Sequence, residues 1–163
     1  MSWIRSVDAP RSSQADLIAR ITEVLRGRER IVAAFLGGSL GRGDADDYSD
    51  VDVYVVVAEA QDVTACVTEL ANDVAEVAPI LFSKPLANAR TINSITTDWL
   101  RFDLTIVSRA ETAWLAQDQL KPLFDRLAIY ATLPATANLP PNPPAEVLLD
   151  IVHEFIRVLG LSL

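Results

Sequence analysis

Cysteine and histidine occur once each in 163 residues, at Cys66 and His153, and neither can build a framework. A single thiol excludes an intrachain disulfide network, and the compartment therefore need not be oxidising. Cys66 falls within an expected helix with no histidine near it in sequence, so it is read as packing rather than as a nucleophile. His153 is read as a packed or surface residue rather than a ligand. Long apolar runs are also lacking. Even Val51 to Ala60 is interrupted by Asp52 and Glu59, well short of the ~18 to 20 residues that cross a bilayer. Basic residues are few, 14 Lys and Arg against 22 Asp and Glu, for a formal charge of −8. That balance argues against a large nucleic-acid surface, which needs clustered cations to displace counterions, and favours a cationic small molecule or basic partner. The first residues lack a basic start followed by an apolar segment, so no signal peptide is expected and the cytoplasm is the expected location. No internal repeat or low-complexity tract is present.

Half the residues are hydrophobic, and a chain of this length can bury a core of its own, so a folded domain rather than disorder is expected. Ser13 to Asp16 has the form of a capping box, and Leu17, Ile18, Ile21, Val24 and Leu25 follow at helical spacing before Gly27. Ile31 to Leu36 is a short apolar run ending at Gly37-Gly38, which predicts a buried strand and a turn. From Val51 to Val57, Asp52 and Tyr54 share one face while Val51, Val53 and Val55 share the other, the period of a strand. A helix is expected from Asp62 to about Val77, ended by Pro79, then a short strand over 80–83 and a hairpin pairing Thr91 to Ile95 with Trp99 to Val107. A helical stretch over 110–119 and a strand over 123–130 follow. Pro134, Pro140, Pro141, Pro143 and Pro144 mark an extended spacer. This predicts a domain over 1–133, a linker over 134–144 and a C-terminal helix over 145–163. The helix carries Val147, Leu148, Ile151, Val152, Phe155, Ile156 and Leu159, a stripe broad enough to imply a homodimer or other oligomer, or the start of a helical domain.

The chemistry concentrates in Gly37-Gly38-Ser39-Leu40-Gly41-Arg42 and Tyr48-Ser49-Asp50-Val51-Asp52. Glycine lets backbone approach a phosphate closely, and the Ser39 hydroxyl with neighbouring N–H groups can bind its oxygens. Asp50 and Asp52, two apart at a strand entrance, project to one face, where paired carboxylates can hold Mg²⁺ against a triphosphate. Asp103, between Phe102 and Leu104, is an acid in an apolar stretch, where an unpaired charge would be costly and metal binding or a neighbouring Arg would answer the cost. Three convergent acids would permit two ions, one activating a hydroxyl and one stabilising the leaving group. Asp103 could also take the hydroxyl proton itself. Asp44, Asp46 and Asp47 are read as a solvated loop. Trp99 and Trp114 are read as core, or as aromatics that stack on a base or sugar.

These motifs resemble the DNA polymerase beta-like nucleotidyltransferase superfamily, and within it most closely the aminoglycoside and related antibiotic nucleotidyltransferases and the minimal nucleotidyltransferase antitoxins. The resemblance implies an α/β (α+β) fold, a mixed sheet flanked by helices. It implies that Gly38, Ser39 and Arg42 bind nucleotide phosphates, that Ser49 supports the loop beside them, and that Asp50, Asp52 and Asp103 bind one or two Mg²⁺ ions. The expected activity is transfer of a nucleoside monophosphate, usually AMP, from an NTP to a hydroxyl with release of pyrophosphate. ATP is the expected co-substrate and an aminoglycoside-like cation the expected acceptor, while the residues leave the choice of base open. Glu154 on the last helix is a second candidate base beside Asp103. Two other readings stay open: an antitoxin-type enzyme that modifies or masks a partner protein, and a nucleotide-binding module without turnover.

Overall fold

The computed structural model describes residues 13–137 and Leu149. The C-terminal helix over 145–163, with Glu154, His153 and the oligomer contact expected of it, and most of the Pro-rich spacer lie outside the described residues, Leu149 excepted.

Helix α1 spans Gln14–Arg26 and starts as its sequence predicts. The Asp16 amide donates to Ser13 Oγ at 3.1 Å while the Ser13 amide donates to the Asp16 carboxylate, also at 3.1 Å. These reciprocal bonds satisfy two amides that the first turn would otherwise strand. Leu17, Ile21 and Leu25, four apart, form its buried edge. Each such side chain stabilises the fold by roughly 1.5 to 3 kcal/mol relative to exposure.

Strand β1 spans Ile31–Leu36, the short helix α2 spans Gly38–Arg42, and β2 spans Val51–Val57. Helix α3 spans Asp62–Asp73 and tightens into a 3₁₀ turn over Val74–Glu76 before Pro79. Strands β3 (Ile80–Pro85), β4 (Thr91–Thr96) and β5 (Arg101–Ser108) follow, and β6 (Lys121–Asp125) completes the sheet. The order across the sheet is β3-β4-β5-β2-β1-β6. Among the described residues, only β2 and β5 pair in parallel. Strands joined that way need a long crossover, which α3 and the β3–β4 hairpin supply.

One sheet face packs against α1 and α3 through Val51, Val53, Val55, Leu104 and Ile106. The other carries Ala33, Phe35, Val56 and Val107 beneath Leu115, Leu120, Ile129 and Leu133 from the segments after β5. Those segments correct two expectations. The stretch over 110–119 is not an α-helix but two 3₁₀ pieces, Arg109–Trp114 and Gln117–Gln119, with Leu115 and Ala116 extended between them. Successive side chains of an extended link point to opposite sides, so Leu115 packs on the sheet while Ala116 is buried on the other side of the link. The last strand is earlier than expected. β6 ends at Asp125, and Arg126 turns to donate to the carbonyls of Arg26, Arg28 and Ile31, fixing the chain to the end of α1. Trp99 is likewise not a strand residue: at φ 69° it sits in the β4–β5 turn, exposed, and β5 begins two residues later. Among the described residues, no helix is long and apolar enough to cross a membrane.

Candidate active site

Alternation along β2 sends Val51, Val53 and Val55 into the core and leaves Asp52 and Tyr54 on the opposite face. The parallel pairing then sets Asp52 directly beside Asp103 of β5, and the antiparallel β4 sets Asn93 beside Asp103 on its other side. Lys84 of β3 extends the same row beyond Asn93. Adjacent strands lie about 4.8 Å apart, so these groups form a line across the sheet.

Phe102 and Leu104 are buried in the core on the far face, whereas Asp103 is only half-buried. The apolar setting read from its sequence neighbours is therefore not its environment. Its carboxylate accepts a 2.7 Å hydrogen bond from the Asn93 side-chain amide through one oxygen, a neutral partner rather than the arginine considered from sequence.

Asp52 is less well compensated. Burial, together with the negative charges of Asp103 and Asp50, holds its carboxyl above the ordinary carboxylate range, and the Arg42 cation only partly offsets this. Asp50, just before β2, pairs with the guanidinium of Arg101, which also reaches the Tyr48 carbonyl at 3.5 Å. Among the described residues, no three acidic, histidine or cysteine side chains converge as a ready-made metal centre. The donor chemistry nonetheless suits a hard divalent cation: two facing carboxylates, one of them raised by burial and by its like-charged neighbours, and a third held nearby by an arginine.

The glycine turn lies against these acids. Gly37 is extended and donates its amide to the Asp52 carbonyl at 2.9 Å, tying the turn to β2. Gly38 adopts φ +56°, and a Cβ there would stand 2.1 Å from Asp52 Oδ2. Only glycine combines that conformation with that proximity. Ser39 follows in the first turn of α2, where amides have no intrahelical carbonyl partner.

The remaining expected residues are engaged locally. Arg42 pairs with Asp44 through two contacts of 3.2 Å, both side chains largely exposed. Ser49 Oγ donates to Asp46 Oδ1 at 2.8 Å and accepts from the Asp46 amide at 3.0 Å. Gln14 of α1 donates to the carbonyls of Asp46 and Ser49. Ser49 thus supports the loop, and Asp44 and Asp46, exposed as a solvated loop predicts, also pair within it. Sequence reasoning passed over Asn93 and Arg101. The signal was available in the alternation of Arg101, Asp103 and Thr105 along β5, read as it had been along β2.

A mixed sheet that presents carboxylates from two parallel strands beneath a glycine-serine turn defines a nucleotidyltransferase-type domain. Residues 19–111 match the family described as polymerase beta, nucleotidyltransferase, and because that match spans more than half of the chain, the protein belongs to this family. No curated protein matches the sequence closely.

Proposed function

We propose that the protein transfers a nucleoside monophosphate from an NTP, with ATP as the leading candidate, to a hydroxyl group and releases pyrophosphate. The observation that carries this reading is the registered Asp52–Asp103 pair lying against Gly38. In this reading, the amides of the Gly38–Ser39 turn and the Ser39 hydroxyl bind phosphate oxygens. Asp50, Asp52 and Asp103 would hold Mg²⁺, which when bound neutralises charge on the triphosphate and makes the acceptor hydroxyl more acidic. Asp103, oriented by Asn93, accepts the proton as the acceptor oxygen attacks the α-phosphorus and the bond to pyrophosphate breaks. Arg101 holds Asp50 until the nucleotide arrives. Its guanidinium is then free to face phosphate oxygens.

An aminoglycoside-like or other polyhydroxylated amine suits the −8 formal charge. A protein acceptor is the second reading. It is favoured by Leu81, Phe82 and Leu86, apolar side chains exposed on and beside the outer strand β3.

Pyrophosphate release from each of four NTPs with Mg²⁺, against a panel of aminoglycosides and related amines, tests the proposal. Release should require acceptor and metal together and fall at least about a hundredfold in Asp50→Asn and Asp52→Asn. Unchanged transfer in either variant would sink the assignment. Release with a partner protein but none of the small acceptors would select the second reading.

A further inference from the structure

Beside the glycine turn is a cavity of about 190 Å³ whose lining includes Gly38, Arg42, Tyr54 and Trp114, with Leu115 and Leu120 adding apolar surface. Trp114 is 58% exposed, although Leu115 after it is buried. An indole kept open to solvent forgoes a large hydrophobic gain. Its position is nonetheless held. The edge of one ring meets the face of the other where Trp114 packs on Tyr54, with centroids 5.3 Å apart and planes at 82°. Tyr54 is itself placed by β2, two residues beyond Asp52 and on the same face, about 6.6 Å along the strand.

The cavity therefore has an aromatic wall, an apolar lining, a guanidinium at its margin and a side formed by Gly38. The other exposed aromatics lack this setting. Among the described residues, Tyr48 lies on the loop before β2, Phe82 on β3 and Trp99 in the β4–β5 turn, and none of the three lines this cavity. The larger groove between α1 and α3 is lined by Arg28 and Arg30, whose guanidinium groups are already paired with Asp73, Glu76, Asp62 and Glu69.

We propose that this cavity receives the nucleobase of the NTP, stacked on the Trp114 indole, and that Trp114 is thereby a nucleotide-binding residue of this protein. The inference rests on the nucleotidyltransferase reading above, which places the phosphates at Gly38–Ser39. A planar base offers the indole a π-face whatever its edge groups, so Trp114 supplies affinity for all four nucleotides, and purines, with the larger face, bind more tightly than pyrimidines. Tyr54 acts as a positioning residue that holds the indole through this edge-to-face contact.

Calorimetric titration of the full chain with ATP, CTP and inorganic tripolyphosphate, each with Mg²⁺, tests this. Trp114→Ala should weaken ATP by roughly 5- to 150-fold, the worth of one base on one aromatic ring. It should leave tripolyphosphate unchanged, and Trp114→Phe should keep most of the ATP affinity. In a second measurement, a Trp3→Phe/Trp99→Phe protein retains Trp114 as its sole indole. Its fluorescence should be quenched by ATP and not by tripolyphosphate, a readout that does not depend on Trp114→Ala folding. ATP binding undiminished in Trp114→Ala, or equal quenching by tripolyphosphate, would overturn the proposal while leaving the phosphate turn intact. Failure of the wild-type chain to bind either ATP or tripolyphosphate would overturn the underlying nucleotide reading as well.

Discussion

Replacing Gly38 by alanine adds one methyl group at the point where the turn meets the acids. The cost has two separable parts. The first is conformational: an L-residue held at φ +56° costs about 1 to 2 kcal/mol relative to glycine, which lowers the melting temperature by roughly 2 to 8 °C for a domain of this size. The second is steric. The new Cβ would stand 2.1 Å from Asp52 Oδ2, so the carboxylate must retreat by about 1.3 Å before ordinary contact is restored. A displacement of that size at a reacting centre costs about a hundredfold in rate. Gly43 provides the control, because it also has positive φ, +83°, yet a Cβ there meets nothing within 4 Å. Gly43→Ala should therefore lose similar stability and keep its activity. Gly38→Ala should lose both stability and most of its Mg²⁺-dependent ATP binding and pyrophosphate release. Urea denaturation with calorimetry measures the first part, and turnover measures the second. If the two variants matched in turnover as well as in stability, the close approach of the turn to Asp52 would not be what makes Gly38 necessary.

Other consequences follow from the same geometry. Asn93→Ala removes the 2.7 Å bond that orients Asp103 and should lower turnover about 10- to 100-fold; a titration of rate against Mg²⁺ concentration checks it, and an unchanged curve would remove Asn93 from the site. Asp52 ionises in the folded chain against burial and two like charges. Its carboxyl is thus raised above the unfolded value, and stability present at low pH is lost as pH rises through that raised value. Asp52→Asn should consequently melt higher than the metal-free wild type at neutral pH while losing activity, and a lower melting temperature would contradict the like-charge argument. Burial pushes the Cys66 thiol up to about 11, with the Glu69 charge adding to it. In the native protein it should resist a thiol-reactive dye at pH 8 and react once urea unfolds the chain. Between the unfolded value near 9 and about 11, the folded chain keeps a proton that the unfolded chain releases. Stability should fall as pH rises across that window, and a melting temperature flat from pH 8.5 to 10.5 would refute this.

What the sequence determined by itself was local. The capping bonds of Ser13 and Asp16, the two-residue period of Val51 to Val57 and the Gly37-Gly38-Ser39 turn each depend on residues within a few positions of one another. Their physics, orphan amides at a helix start, alternating strand faces and freedom at positive φ, therefore acts within the segment. The turn-and-acid motif also carried the family, because the spacing from Gly38 to Asp52 lies within one β-turn-β unit. The alternation that placed Asp52 on one face of β2 applied equally to β5, but period two does not say which strands will be neighbours. Only the tertiary structure set Asp52 beside Asp103, 51 residues further along the chain, through the parallel pairing of β2 with β5. That pairing also brought Arg101 of β5 to Asp50, while the antiparallel pairing of β4 with β5 delivered Asn93 to Asp103, and alternation along β5 put the apolar neighbours of Asp103 on the far side of the sheet. Burial of Leu115 against the second sheet face likewise broke a stretch of helical composition into two short turns and left Trp114 beside Tyr54. These outcomes depend on which surfaces meet after the crossover closes, and packing between distant segments overrides local preference there.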